Sequence, residues 1–177
     1  MAGYLDRGKA EECREYVEDL IPQVGQMGKL IRSDNPTLDY LINSKLCALK
    51  DTKVIVSGAV GDLSDIRDAD LACLIGNILD NAVKFCTEGG ELGLKLRIGG
   101  NKIYVTISNE GRTIPPEELP LVFDRFHKID KARNRSQEGW GLGLYIVKTL
   151  VCSHGENISV ASRDGKTEFT FTMPLVN

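Results

Sequence analysis

Leu92-Gly93-Leu94-Lys95-Leu96-Arg97-Ile98-Gly99-Gly100-Asn101-Lys102-Ile103-Tyr104-Val105-Thr106-Ile107 holds two runs of alternating residues around a glycine-rich break. A period of two sends Leu92, Leu94, Leu96 and Ile98 to one side of a strand, and Ile103, Val105 and Ile107 to the same side of its partner. Gly99-Gly100-Asn101 supplies the turn. The stretch therefore predicts an antiparallel hairpin with one apolar face, and that face needs a cover.

The cover is found by reading outward. Upstream, Leu71, Leu74, Ile75, Ile78, Ala82 and Phe85 form the apolar stripe of a helix. Leu38, Leu41, Ile42, Leu46 and Leu49 mark another helix over 37–50, and Asn35-Pro36 is its start signal. Val54 and Val56 suggest a strand. Downstream, 141–154 reads as a helix. Ile158 and Val160, a turn at Asp164-Gly165, and Phe169, Phe171 and Met173 predict a second hairpin. Strands with segregated helices give an α+β fold: a two-layer α/β sandwich whose mixed sheet is covered on one face by helices.

The chain has 177 residues, enough for one domain with an appendage and for a core that needs no disulfide or metal. The appendage is 1–34. Within it Cys13, Val17, Leu20, Val24, Met27 and Ile31 follow a heptad seam suited to helix pairing. The second unit is 35–177. A net charge of -3 and the absence of a long basic run speak against a nucleic-acid partner. Five scattered cysteines without a C-x-x-C spacing predict reduced, mostly packed thiols in a cytoplasmic protein. No apolar run has the length of a membrane span.

Two polar motifs carry the chemistry. Asn77, Asn81 and Lys84 stand at i, i+4 and i+7, on one helix face beside the apolar stripe. An amide oxygen there is a hard neutral ligand suited to Mg²⁺, which binds with substrate phosphates, and Lys84 can neutralise phosphate charge. Gly139-Trp140-Gly141-Leu142-Gly143-Leu144 opens another helix, where glycines admit a phosphate to backbone N–H groups. A polar loop precedes it in place of a strand, which excludes a dinucleotide βαβ unit. Asn109-Glu110-Gly111 follows the strand, where an amide oxygen can accept from a purine amino group and Gly111 leaves room for a flat ring. Arg125 is a phosphate candidate, and Lys128, Lys131, Arg133 and Arg135 are candidate lid residues. His127 and His154, the two histidines of the chain, are assigned no acceptor role, and His154 is read as a dipole partner at a helix end.

Together these segments resemble the ATP-binding domain of sensor histidine kinases, in the Bergerat-fold superfamily with gyrase, mismatch-repair ATPases and certain heat-shock chaperones. Asn77 to Phe85 resembles the N box, Asn109 to Pro115 the G1 box, Phe123 to Phe126 the F box, and Gly139 to Leu144 the G2 box. Lys166-Thr167 to Pro174 resembles the closing strand. The resemblance implies ATP and Mg²⁺ as ligands. It places ATP against Asn77, Asn81, Lys84, Asn109, Gly111, Ile114, Arg125, Gly139, Gly141, Leu142, Gly143 and Thr167, with Asn81 holding Mg²⁺. Tyr4 to Val17 resembles the end of a first dimerisation helix and the start of a second. Asn35 to Lys45 is similar to the peptide-quorum-sensing and citrate-sensing kinase groups.

The implied activity is transfer of the γ-phosphoryl to a histidine on an upstream dimerisation helix, and then to a response-regulator aspartate. The cytoplasmic part of a membrane-bound sensor, dimerised through 9–31, is the implied setting. The 177 residues alone are expected to bind ATP without autophosphorylating. The hydrolases of the superfamily carry Glu at the position of Asn77. An amide cannot act as a general base, whereas a neutral imidazole needs none, so Asn77 favours transfer to histidine over hydrolysis. Asn109 stands where Asp is usual, and Thr113 and Lys166 where glycine is usual. These departures keep a degenerate, non-catalytic ATP-binding scaffold as the alternative.

Overall fold

The computed structural model describes residues 36–47, 49, 52–58, 67–129 and 140–174. The appendage 1–34 expected to be helical, its boundary with the second unit, Gly139, Lys131, Arg133 and Arg135 lie outside the described residues.

Three helices and five strands follow in the order α1 (Pro36–Cys47), β1 (Lys53–Ser57), α2 (Asp68–Phe85), β2 (Glu91–Gly99), β3 (Lys102–Glu110), α3 (Gly143–Ser153), β4 (Ile158–Arg163) and β5 (Lys166–Pro174). The expected hairpin is β2–β3, antiparallel from Leu92↔Asn109 to Gly99↔Lys102. Gly100 takes φ +63° at its turn, a conformation that glycine adopts without penalty. β4–β5 closes on Asp164 (φ 51°) and Gly165 (φ 78°), the paired positive φ values of a two-residue hairpin turn.

The sheet order is β1-β2-β3-β5-β4. β1 pairs β2 in parallel, with α2 as the crossover between them, and the other pairings are antiparallel. The sheet is therefore mixed, as expected.

The core lies between one sheet face and the helices. Leu92, Leu94, Ile103, Ile107, Phe171 and Met173 are buried on the sheet side. Leu74, Ile75, Ile78 and Leu79 of α2 and Val147 and Val151 of α3 are buried against them. The α2 stripe ends sooner than its period predicts: Phe85 is 56% exposed. It is the last residue of the helix, and the chain turns extended at Cys86. The opposite sheet face is polar. There the Arg97 guanidinium lies 4.1 Å from the Tyr104 ring centre, and Thr106 and Thr170 hydroxyls meet at 2.9 Å. Among the described cysteines Cys73 and Cys86 are half-buried, whereas Cys152 is exposed on the outer side of α3, contrary to the expected packing.

Side-chain ties fix the helices to the sheet and to each other. Buried Asp70, in the first turn of α2, accepts two hydrogen bonds from Arg67 at 3.0 Å and faces His154 Nε2 at 3.3 Å. That contact joins the start of α2 to the end of α3, where His154 N–H also bonds the last carbonyls of α3. Buried Glu156 accepts from Lys102 Nζ at 2.8 Å and from the Thr172 hydroxyl. Burial works against its charged form. The hydrogen bonds from Lys102 and Thr172 and the Lys102 charge outweigh burial and hold the carboxyl below its ordinary range.

Candidate nucleotide site

The Asn helix fixes its own amides. Asn77 Nδ2 donates to Cys73 O at 2.7 Å, and Asn81 Nδ2 donates to Asn77 O at 2.8 Å. Only an NH₂ group can donate to a carbonyl, so each Oδ1 is the amide atom turned away from the helix. This orientation leaves Asn81 a hard neutral oxygen, the donor type that the Mg²⁺ reading requires.

α3 begins directly against this face. A Cβ on Gly143 would lie 2.9 Å from Asn77 Oδ1, so the glycine is what lets the two helices meet here. No side chain caps the N-terminus of α3. Its first N–H groups are therefore left for another acceptor, as in anion-binding helix starts. Gly141 takes φ 67°, and a Cβ there would lie 2.8 Å from His127 O. Phe126 N–H donates to Gly141 O at 3.0 Å, with Phe126 itself at φ 64°. These contacts seat the end of the Phe123–Phe126 segment on the glycine turn. His127 Nε2 lies 2.7 Å from Glu118 Oε2, a close polar contact within the same loop. Leu142, at the N-cap of α3, is half-buried.

The other wall is the end of β3. Asn109 lies inside the strand, paired in register with Leu92 of β2 and with Thr167 of β5. Asn109 is 4% and Thr167 6% exposed. Gly111 makes room for the end of α2: a Cβ there would lie 2.2 Å from Phe85 O.

Beyond Gly111 the loop is clasped to the β4–β5 turn by three bonds. Gly111 N–H donates to Gly165 O at 2.7 Å, Gly165 N–H to Thr113 Oγ1 at 2.8 Å, and Ile114 N–H to Ser162 Oγ at 2.9 Å. Ser162 Oγ also bonds Thr167 Oγ1 at 2.8 Å. Thr113, which replaces a glycine of the family pattern, thus supplies one of the three bonds. Sequence reasoning missed Ser162. Its one signal is inward alternation after Ile158 and Val160, and nothing local names its partners.

The structure brings Asn77, Gly141, Leu142 and Gly143 together at the α2–α3 contact, and Asn109, Gly111, Ile114 and Thr167 together at the end of β3. Asn81 and Lys84 continue the α2 face. Lys84 is exposed in the last helical turn, with Nζ 5.6 Å from the Phe85 ring. Arg125 is placed differently: its guanidinium lies over Phe126 at 5.1 Å and over Tyr145 at 5.5 Å, on the outer side of α3. Among the described residues no group of three or more His, Cys, Asp or Glu side chains could hold a metal ion.

A one-sided mixed sheet, an amide-bearing helix and a glycine-opened helix start define an α+β nucleotide-binding domain. Residues 67–177 match the family described as histidine kinase-, DNA gyrase B-, and HSP90-like ATPase, and the chain belongs to that family. The sensor histidine kinase WalK of Bacillus subtilis (strain 168) is 40% identical over 113 residues, 62% of this chain and 18% of WalK. The sensor histidine kinase CusS of Escherichia coli (strain K12) is 33% identical over 129 residues, 72% of this chain and 27% of CusS. Among solved structures, the mycobacterial sensor histidine kinase MprB aligns with TM-score 0.63 and 30% identity over 78% of this chain and 93% of that one. The catalytic domain of histidine kinase ThkA shares the fold with TM-score 0.63 and 20% identity, over 81% of this chain and 93% of that chain. The chain thus spans about a fifth to a quarter of these full-length sensors.

Proposed function

We propose that the chain is the phosphoryl-donor part of a two-component sensor histidine kinase. ATP·Mg²⁺ sits between the Asn face of α2 and the start of α3, with its purine at Asn109. The γ-phosphoryl passes to a histidine on a dimerisation helix of the same sensor, and from there to a response-regulator aspartate. In this setting the chain is the cytoplasmic portion of a membrane-bound sensor, paired through 9–31.

One observation carries the reading. At the α2–α3 contact, where a hydrolase needs a base, the side chain is the Asn77 amide, held by Cys73 O and facing Gly143. An amide orients a group but takes no proton, so water is not activated by this residue. A histidine acceptor already has a lone pair, and catalysis then consists of positioning and charge neutralisation. Mg²⁺ bound through Asn81 Oδ1 would supply part of that neutralisation; Lys84 and the first N–H groups of α3 supply the rest.

The non-catalytic scaffold is the second reading, favoured by the stacking of Arg125, the phosphate candidate, over Tyr145. Calorimetric titration tests the metal assignment. Asn81→Ala should abolish Mg²⁺-dependent ATP binding, and unchanged affinity would refute the role of Asn81.

A further inference from the structure

We propose that Glu118 is a positioning residue for the phosphate end of the site, and that it acts through His127 on the turn from which α3 starts. The inference rests on the reading of that start as the place where ATP phosphates bind. Glu118 Oε2 and His127 Nε2 lie 2.7 Å apart. Both atoms are buried, and neither has a hydrogen-bond partner elsewhere among the described residues. Each atom therefore depends on the other to offset its loss of water.

The position of His127 gives this contact its reach. Phe126, one residue before it, has φ 64°, where the Cβ of an L-residue crowds the following carbonyl. A bulky side chain keeps such a backbone only where its surroundings impose it. Phe126 N–H donates to Gly141 O at 3.0 Å. On the next residue, His127 O stands against Gly141, where a Cβ would lie 2.8 Å from it. Gly141, itself at φ 67°, comes two positions before Gly143, the first residue of α3. Phe126 and His127 thus press their backbone on the glycine turn, and the side-chain contact beside them is His127 with Glu118.

Glu118 is a firm support for that contact. Its N–H donates to Pro115 O at 2.9 Å, and its carbonyl accepts from Leu121 N–H at 2.9 Å across the short helical turn Leu119–Leu121. Val122 and Phe123, just beyond, are buried in the core. Without the Glu118 carboxylate, Phe126 is left to relax towards an ordinary φ, and the Gly141 turn loses its seat. The first N–H groups of α3 then meet a phosphate in a less fixed position, which weakens binding.

Calorimetric titration of the 177-residue chain with Mg²⁺ and ATP tests this. Glu118→Ala should weaken ATP binding roughly 5- to 30-fold, the worth of one lost hydrogen-bond partner, and Glu118→Gln, which keeps an acceptor, should recover most of the loss. Phe126→Asn supplies a residue that takes the left-handed backbone readily. In that background Glu118→Ala should cost less than about twofold. A contact that served stability alone would lower the unfolding midpoint in both backgrounds and leave ATP affinity unmoved. Added to His127→Gln, Glu118→Ala should likewise cost less than about twofold. Should Glu118→Ala fail to fold, His127→Gln carries the same expectation with and without Phe126→Asn. Unchanged ATP affinity in Glu118→Ala would overturn the proposal. So would an equal loss with and without Phe126→Asn, or losses from Glu118→Ala and His127→Gln that simply add. A natural chain that binds no ATP would instead remove the nucleotide reading beneath it.

Discussion

At the residue scale, the departures from the family pattern acquire physical roles. Asn77 was legible as a residue that cannot be a base, because that follows from its functional group alone. Its partner Cys73 O and its contact with Gly143 were not legible, since they depend on how two helices cross. Thr113 looked like a loss where glycine is usual. In the fold its hydroxyl accepts the Gly165 N–H, so it holds the loop after Gly111 to the β4–β5 turn. Thr113→Val keeps the shape and removes the acceptor. It should weaken ATP binding by roughly 2- to 10-fold, the worth of one neutral hydrogen bond, while Thr113→Ser keeps most of the affinity. Equal affinities for the two variants in a titration would show that the clasp does not reach the site.

At the element scale, both hairpins were legible because period-two alternation and a glycine turn are local signals. The Asn helix was legible because its stripe is long. Its end was misread at Phe85, which continues the period but is the last helical residue and is exposed. The parallel pairing of β1 with β2 carries no local signal; a crossover helix between two short strands permits it without requiring it. The tie between β3 and the start of β4 was equally hidden, because Glu156 meets Lys102 across 54 positions of sequence.

That tie predicts a pH dependence. The Glu156 carboxyl is held below its ordinary range in the folded chain, so the unfolded state binds its proton first as pH falls. Its stabilisation is complete above the unfolded value, near 4.3 for a free Glu. It is lost as pH falls through the lower, folded value. Glu156→Gln should therefore lower stability by about 1.5–3 kcal/mol at neutral pH, the range for a hydrogen bond to a charged group. The gap to the natural chain should narrow in acid. Urea unfolding of both chains from neutral to acidic pH checks this, and a gap that stays constant would contradict it.

At the scale of the whole molecule, the fold brings together segments about sixty positions apart. α2 carries the Asn77 and Asn81 amides, the start of α3 meets Asn77 at Gly143, and the end of β3 carries buried Asn109. The α+β class was legible from patterning alone, and the nucleotide-site reading rests on motifs that occur together and in order. What the sequence could not show is how these segments are braced, because Ser162 and Asp70 act through contacts between distant elements. The central claim is that this site donates phosphate to histidine and not to water. The most direct measurement mixes the chain with ATP radiolabelled at the γ-phosphate and a helical bundle carrying the sensor's histidine helix. The account predicts label on that helix and negligible phosphate release without it. Bound ATP with no label on the helix, or phosphate released in its absence, would contradict it.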